Sequence, residues 1–284
     1  MKKIIEKRKL TQRHWVGDGF PVSTAFDYTD DPALYSPFLL LDYAEPTEFA
    51  PSPHPRGVGA HPHRGIETVT VVYSGEVAHR DSAGNAGVIQ EGDVQWMTAG
   101  GGVLHEEFHG ENFMRKGGVF EVAQLWVNLP KKDKMTSAKY QSILSAQIPR
   151  VTLPEDAGTL KVIAGEYRQS KGVASTFSPI NLWDVTLKKG NILPVELPKG
   201  SNTLVLVTRG ELQFDSETVQ AKELAVLNTA ELMSMTAAQD TQFLIMNGLP
   251  LPDPVVGHGP FVMNTEEEIV QAYADFRSGK MGRM

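Results

Sequence analysis

HPHRGIETVTVVYSGEV, residues 61–77, lies without a gap over ELPKGSNTLVLVTRGEL, residues 196–212. Each copy carries a β-branched apolar run, a turn residue and then Gly-Glu-apolar, at Gly75–Val77 and again at Gly210–Leu212. Runs of this kind that stop at glycine read as strands entering tight turns. The offset of 135 positions (196 against 61) far exceeds the roughly 20–50 residues of a solenoid repeat, so the pattern indicates a duplicated domain. The copies differ where they begin. Glu196 and Pro198 stand where the first copy has His61 and His63. A metal held through those histidines would belong to the first copy alone.

The rest of the 284-residue chain extends the strand reading. Its 26 glycines and 18 prolines fall between short apolar runs such as FLLLDY, DVQWM, VLHEEF and FEVAQLWVNL. Turn signals recur at Ser74–Glu76, Ala83–Asn85, Glu91–Asp93 and Gly100–Gly102. Strands at this spacing predict an all-β fold of sandwiches or barrels. The polar stretch KKDKMTSAKYQS after Pro130 reads as a connection, giving domains at 1–135 and 136–284. The tail NTEEEIVQAYADFRSGKMG predicts a helix that closes the second domain. Thr265 is its N-cap with Glu268 three residues on, and Gly279 follows its end. Ile269, Ala272, Tyr273 and Phe276 form one apolar face, suited to a barrel exterior.

Composition narrows the function. A net charge of −7, with no basic stripe beyond the opening MKKIIEKRKL, argues against direct nucleic-acid binding, which needs clustered Lys and Arg. That opening has no apolar stretch behind it and does not resemble a signal peptide. Runs such as Pro37–Leu41 are too short to span a membrane. With no cysteine, disulfides, thiolate ligands and cysteine nucleophiles are excluded, and any metal must be held by nitrogen and oxygen. A cytoplasmic protein fits this usage.

His61, His63, His105 and Glu107 carry the strongest chemical signal. In a strand, residues i and i+2 share a face, so His61 and His63 project together, as do His105 and Glu107. In Val103–Phe108 the odd positions are Val, His and Glu; an odd interior face makes Glu107, not Glu106, the ligand candidate. Three imidazoles and a carboxylate suit one divalent ion such as iron, manganese, nickel, copper or zinc. Four protein ligands on an octahedral ion would leave positions for substrate or oxygen.

The blocks HxHRGxETVTxxxxGE at His61–Glu76 and GDVQWMTAGxGxxHxE at Gly92–Glu107 resemble the pirin family. So do GDGFPV at Gly17–Val22, PFLLLD at Pro37–Asp42, QLWVNLP at Gln124–Pro130 and the TEEEI helix. The resemblance covers nearly the whole chain. It implies two cupin barrels (double-stranded β-helices, or jelly rolls) in tandem, the first holding a mononuclear metal, usually Fe(II). The implied ligands are His61, His63, His105 and Glu107. Glu67, the ligand position of the general cupin pattern HxHxxxE, is not one in pirins. The implied activity is that of a quercetin 2,3-dioxygenase, in which O2 cleaves a flavonol with release of carbon monoxide. Glu107 would then take the flavonol's proton as catalytic base as well as serving as ligand. Pirins are also described as metal-dependent, redox-responsive transcription cofactors acting through protein partners. A cupin isomerase, or another metal enzyme that does not use oxygen, is a third reading. Fold and metal alone do not separate the three.

The remaining candidates have simpler readings. His54 sits among prolines in a loop, and His14 and His258 lie outside any constellation. His109 shares the parity of His105 and is a rim or supporting residue. His79 and Asp81 repeat the i, i+2 geometry, as a pair supporting the site or as the charged edge of a surface hairpin. Gln124 is a packing residue or a substrate contact, and Trp96, Met97 and Trp126 are core. Gly100–Gly102 lacks the GxxxxGK[ST] phosphate pattern and reads as a tight turn at positive φ.

Overall fold

The computed structural model describes residues 4–228 and 232–284; Met1–Lys3, the start of the basic opening, lie outside them. The chain forms two compact units, one of Gln12–Asp30, Phe38–Ser145 and Leu251–Met284, the other of Met1–Thr11, Asp31–Pro37 and Ala146–Pro250. Both are built from antiparallel strands, as the alternation of apolar runs and turns predicts.

The first unit pairs a seven-stranded sheet with a four-stranded one. The larger runs in the order Lys139–Ile143, Val94–Thr98, Ile66–Ser74, Gly118–Asn128, Phe38–Phe49, Phe20–Phe26, Arg13–Val16. The smaller runs Gly57–His63, Val103–His109, Glu76–Asp81, Ala86–Gln90. Phe20, Val72, Val77, Ile89, Phe113 and Phe120 fill one end of this barrel. Leu39, Ile66, Met97, Val103 and Val262 fill another part.

The second unit repeats the plan. Its central strands Glu223–Leu227, Asn202–Arg209, Thr241–Gly248 and Ile180–Leu187 follow the order of Val94–Thr98, Ile66–Ser74, Gly118–Asn128 and Phe38–Phe49. Its smaller sheet, Ile192–Glu196, Leu232–Ala237, Glu211–Phe214, Glu217–Gln220, matches the first unit's smaller sheet strand for strand. The aligned glycines Gly75 and Gly210 both turn at positive φ, +92° and +78°. At Gly75 an added Cβ would lie 2.8 Å from the Phe120 ring, so the turn requires glycine.

The units differ from the linear division at 135/136. Ile4–Lys9 pairs with Glu223–Leu227 and so belongs to the second unit. The stretch read as a connection runs into the strand Lys139–Ile143, paired with Val94–Thr98 in the first unit. The tail helix, Glu266–Arg277, has the expected capping box but belongs to the first unit, not the second. Ile269 and Ala272 pack with Phe261, Met263 and Met281, and Leu104 from the strand Val103–His109 joins them. Asp275 also ion-pairs with Arg64 at 3.0 Å, both side chains being nearly covered. Apolar packing and a covered ion pair fix the helix there, a choice its own amphipathic pattern does not encode.

Candidate metal centre

The strands Gly57–His63 and Val103–His109 run antiparallel with His61 opposite His105 and His63 opposite Val103. The odd positions of Val103–His109 are buried and the even ones partly exposed, as the parity argument requires. The register slips between His105 and Glu107, leaving Glu107 opposite Val58. Such bulges commonly re-aim side chains next to functional sites. The three rings converge, with centroids 4.3 Å apart for His61 and His105, 5.0 Å for His61 and His63, and 4.9 Å for His63 and His105. One ligand-type atom from each lies within 4.8 Å of the others. His63 and His105 are buried, while His61 is half-buried and marks the open side of the cluster.

Each ring is tied by its Nδ1. His61 Nδ1 lies 2.9 Å from the carbonyl oxygen of Gly59, and His63 Nδ1 3.2 Å from that of Pro260. A carbonyl only accepts, so Nδ1 carries the proton in both and, in a neutral ring, Nε2 keeps its lone pair. His105 Nδ1 faces His79 Nδ1 at 3.4 Å. Its Nε2 is buried without a hydrogen-bond partner. Burial pushes the His63 pKa down to about 3, helped by the neighbouring His61, and drives that of His105 well below the ordinary histidine value. The two buried rings are thus neutral at pH 7, the form a metal needs. The residues fit a metal ion.

Glu107 is grouped with His79 and His105 rather than with all three clustered histidines. Its carboxylate accepts from Gln95 Nε2 at 2.8 Å, Gln124 Nε2 at 3.0 Å and Thr70 Oγ1 at 3.5 Å. Tyr140 donates its hydroxyl to Gln95 Oε1 at 3.2 Å, which turns the amide's nitrogen toward Glu107. Burial, together with the nearby Glu107 and Asp81, raises the Tyr140 pKa to about 12 and keeps that donor protonated. Each carboxylate oxygen can accept more than one bond, so these donors orient Glu107 without saturating it.

The pirin family model matches residues 19–127 and the pirin C-terminal cupin domain matches residues 182–282. A Pseudomonas aeruginosa protein provisionally named a quercetin 2,3-dioxygenase is 51% identical, across 100% of this chain and 99% of its own. The chain belongs to the pirin family. A pirin-like protein of Solanum lycopersicum is 38% identical over 99% of this chain and 93% of its own. The crystal structure of a quercetin 2,3-dioxygenase from Acinetobacter baumannii superposes with a TM-score of 0.96 at 51% identity, covering 99% of both chains. The fold is therefore the pair of cupin barrels with a C-terminal helix that the motifs implied.

The two pirin barrels differ where the polar residues converge. Thr70 pairs with Gln95 and with Gln124 in the first; the corresponding Val205 pairs with Ala225 and Ile245 in the second. Counting from His109 opposite Val77 and Ala237 opposite Leu212, Met233 and Met235 take the places of His105 and Glu107. Val205, Ala225, Ile245, Met233 and Met235 belong to one buried apolar core that also includes Leu193, Val195 and Leu197. One barrel is packed with hydrocarbon at the level where the other gathers polar groups.

The other candidates fall into place. His79 and Asp81 are buried at 3% and 7% exposure, which settles against a surface hairpin edge. His109 is buried in an aromatic cage, 4.7 Å from Phe49 and 4.5 Å from Phe120, and bonds the Gly19 carbonyl at 2.8 Å. Glu67 lies on the alternate face of its strand from Thr70 and accepts from Thr98 at 2.8 Å. Glu106 pairs with Arg80 on the outer side. His14, His54 and His258 are exposed. Trp96 and Met97 are buried core, and Trp126 packs edge-on to His63 at 5.0 Å. Gly100 and Gly102 adopt positive φ, +51° and +128°, and Gly65 and Arg64 donate to the carbonyls of Gly100 and Gly101, so this turn braces the end of the strand that carries His61 and His63. Sequence reasoning missed Gln95 and Thr70; a glutamine and threonines inside apolar runs were the available signal.

Proposed function

We propose that this pirin is a metal-dependent dioxygenase that cleaves flavonols such as quercetin, with His61, His63, His105 and Glu107 holding one divalent ion, iron first. The observation that carries the reading is the contrast between barrels: a converging set of imidazoles and an oriented carboxylate in one, continuous apolar packing at the matching level of the other. Buried polar groups are costly unless they are hydrogen-bonded or paired, and a stability role alone would be served by the apolar version the chain already contains.

A bound ion would supply Lewis acidity and electrons for reaction with O2. The chain's own residues do the rest. Burial holds His63 and His105 unprotonated. Gln95 and Gln124 aim Glu107, which takes the proton from the flavonol hydroxyl. Half-buried His61 leaves the cluster open on the side from which a planar aromatic substrate enters. The relatives carrying quercetin dioxygenase names support the substrate class.

Oxygen consumption and carbon-monoxide release with quercetin, measured on iron-loaded wild type, His61→Ala and Glu107→Gln, test the reading. Wild type should release carbon monoxide in step with flavonol loss. Both variants should fall by at least about 100-fold, the scale of a lost ligand or base. Activity that survives chelation would overturn the assignment. Absence of turnover with metal-dependent capture of a protein partner would favour the regulatory reading instead.

A further inference from the structure

His61 and His63 have their tautomers set by backbone carbonyls, which cannot change their role. His105 does not. Its Nδ1 meets another imidazole nitrogen, His79 Nδ1, at 3.4 Å, and only a side chain decides which of the two carries the proton.

We infer that Asp81 and His79 form a buried positioning relay that fixes His105 as the Nδ1–H tautomer and presents its Nε2 lone pair to the metal. The inference rests on the metal reading proposed above. The chain of reasoning has three forced steps for neutral rings. The Asp81 carboxylate only accepts, so His79 Nε2, 3.3 Å from Asp81 Oδ2, carries a hydrogen. His79 Nδ1 is then a bare acceptor, and the His105 nitrogen facing it must donate. His105 Nε2 is left as a lone pair, and that atom is buried with no hydrogen-bond partner in the structure.

The surroundings hold each member in place. Asp81 Oδ1 accepts from the backbone N–H groups of Ala83 at 2.9 Å and Asn85 at 3.0 Å, and the Asn85 amide bonds both carboxylate oxygens. The His79 ring stacks on Tyr140, with centroids 4.7 Å apart and planes 14° from parallel. The same Tyr140 hydroxyl orients Gln95 toward Glu107. One tyrosine therefore steadies the supports of two proposed ligands. His79, His105 and Glu107 are close enough to form a second ion site by themselves. Both nitrogens of His79 already have partners, however, so His79 serves as a support and not as a ligand. Such outer partners fix ring orientation and ligand basicity.

Two variants separate this role from simple packing. Asp81→Asn retains an oxygen at the Oδ1 position for the Ala83 and Asn85 N–H groups and the Asn85 amide, gives up the Asn85 amide bond at the Oδ2 position, and there can turn a donor toward His79, reversing both tautomers. His79→Phe keeps the stack on Tyr140 and removes the acceptor. Long-range proton–nitrogen correlation spectra of the 15N-labelled, metal-free full chain read the tautomers directly, and cobalt(II) titration reads the affinity. Wild type should show His105 protonated on Nδ1 and His79 on Nε2. Asp81→Asn should invert both, and each variant should weaken cobalt(II) binding by about 10–100-fold while metal-free melting stays close to wild type. An Nε2–H tautomer for His105 in the wild type, or cobalt(II) affinities unchanged in both variants, would overturn the relay. If wild type binds no cobalt(II) while the tautomers are as stated, the metal reading fails and the proton arrangement stands.

Discussion

Glu67 shows how one residue's identity is separated from its motif. It occupies the ligand position of the general cupin pattern, yet strand alternation places it on the sheet face away from Thr70 and Glu107, where Thr98 donates to it. Burial raises its pKa from 4.5 to about 7, against the lowering by that hydrogen bond. Between those values the folded chain binds more protons than the unfolded one, so the contribution is complete below pH 4.5 and is lost as pH rises through 7. Urea denaturation of wild type and Glu67→Gln across pH 4–8 should show wild type losing about 3 kcal/mol relative to the variant over that range. Parallel profiles would contradict the placement. At the same scale, His61, His63, His105 and Glu107 could be picked out from the sequence because strand periodicity and two long motifs converge on them. Lys134 could not. It sits in the polar stretch that reads as a connection, yet it is 1% exposed and donates to Gly65, Asn128 and Val262, with its pKa lowered by burial to about 7. Burial of that kind depends on which distant carbonyls the closed fold brings to the lysine.

At the scale of elements, the strand carrying His61 and His63 is braced by the terminal helix. Arg64, next to His63, bonds the Gly101 carbonyl at 2.7 Å and Asp275 of the terminal helix at 3.0 Å, while Lys280 and Gln271 complete the Asp275 carboxylate. Lys280, Gln271 and Arg64 hold the Asp275 pKa down to about 2, so the carboxylate stays charged at neutral pH. Truncation to Arg64→Ala leaves Asp275 without its covered partner and should lower the melting temperature by on the order of 10 °C. Amide exchange in Glu266–Arg277 should accelerate with it, measured by mass spectrometry; unchanged exchange would mean that the apolar contacts of Ile269 and Ala272 suffice. The helix itself was readable from its capping box and apolar face. Its address was not, because an amphipathic face specifies that something is covered and not what covers it. The strand Lys139–Ile143 was missed for a related reason: an edge strand of mostly polar residues has no alternation to detect.

At the scale of the molecule, the chain carries its own control. Duplication gave two barrels of the same strand order, and substitution made one a hydrocarbon core and the other a polar centre. The repeat was legible because Gly-Glu turns and β-branched runs survive in both copies. The exchange of Thr70, Gln95 and Gln124 for Val205, Ala225 and Ile245 became visible only through strand register. The exchange predicts one metal site per chain. Among the described residues, the histidine clusters of metal-binding geometry all lie in the first unit. Anaerobic iron(II) titration of the full chain, wild type beside His61→Ala, tests this most directly. His61 is only half-buried, so its truncation should leave the fold intact. The account predicts a single site in wild type, weakened by at least about 100-fold in the variant. Two sites per chain, or a single site that His61→Ala leaves unchanged, would contradict it.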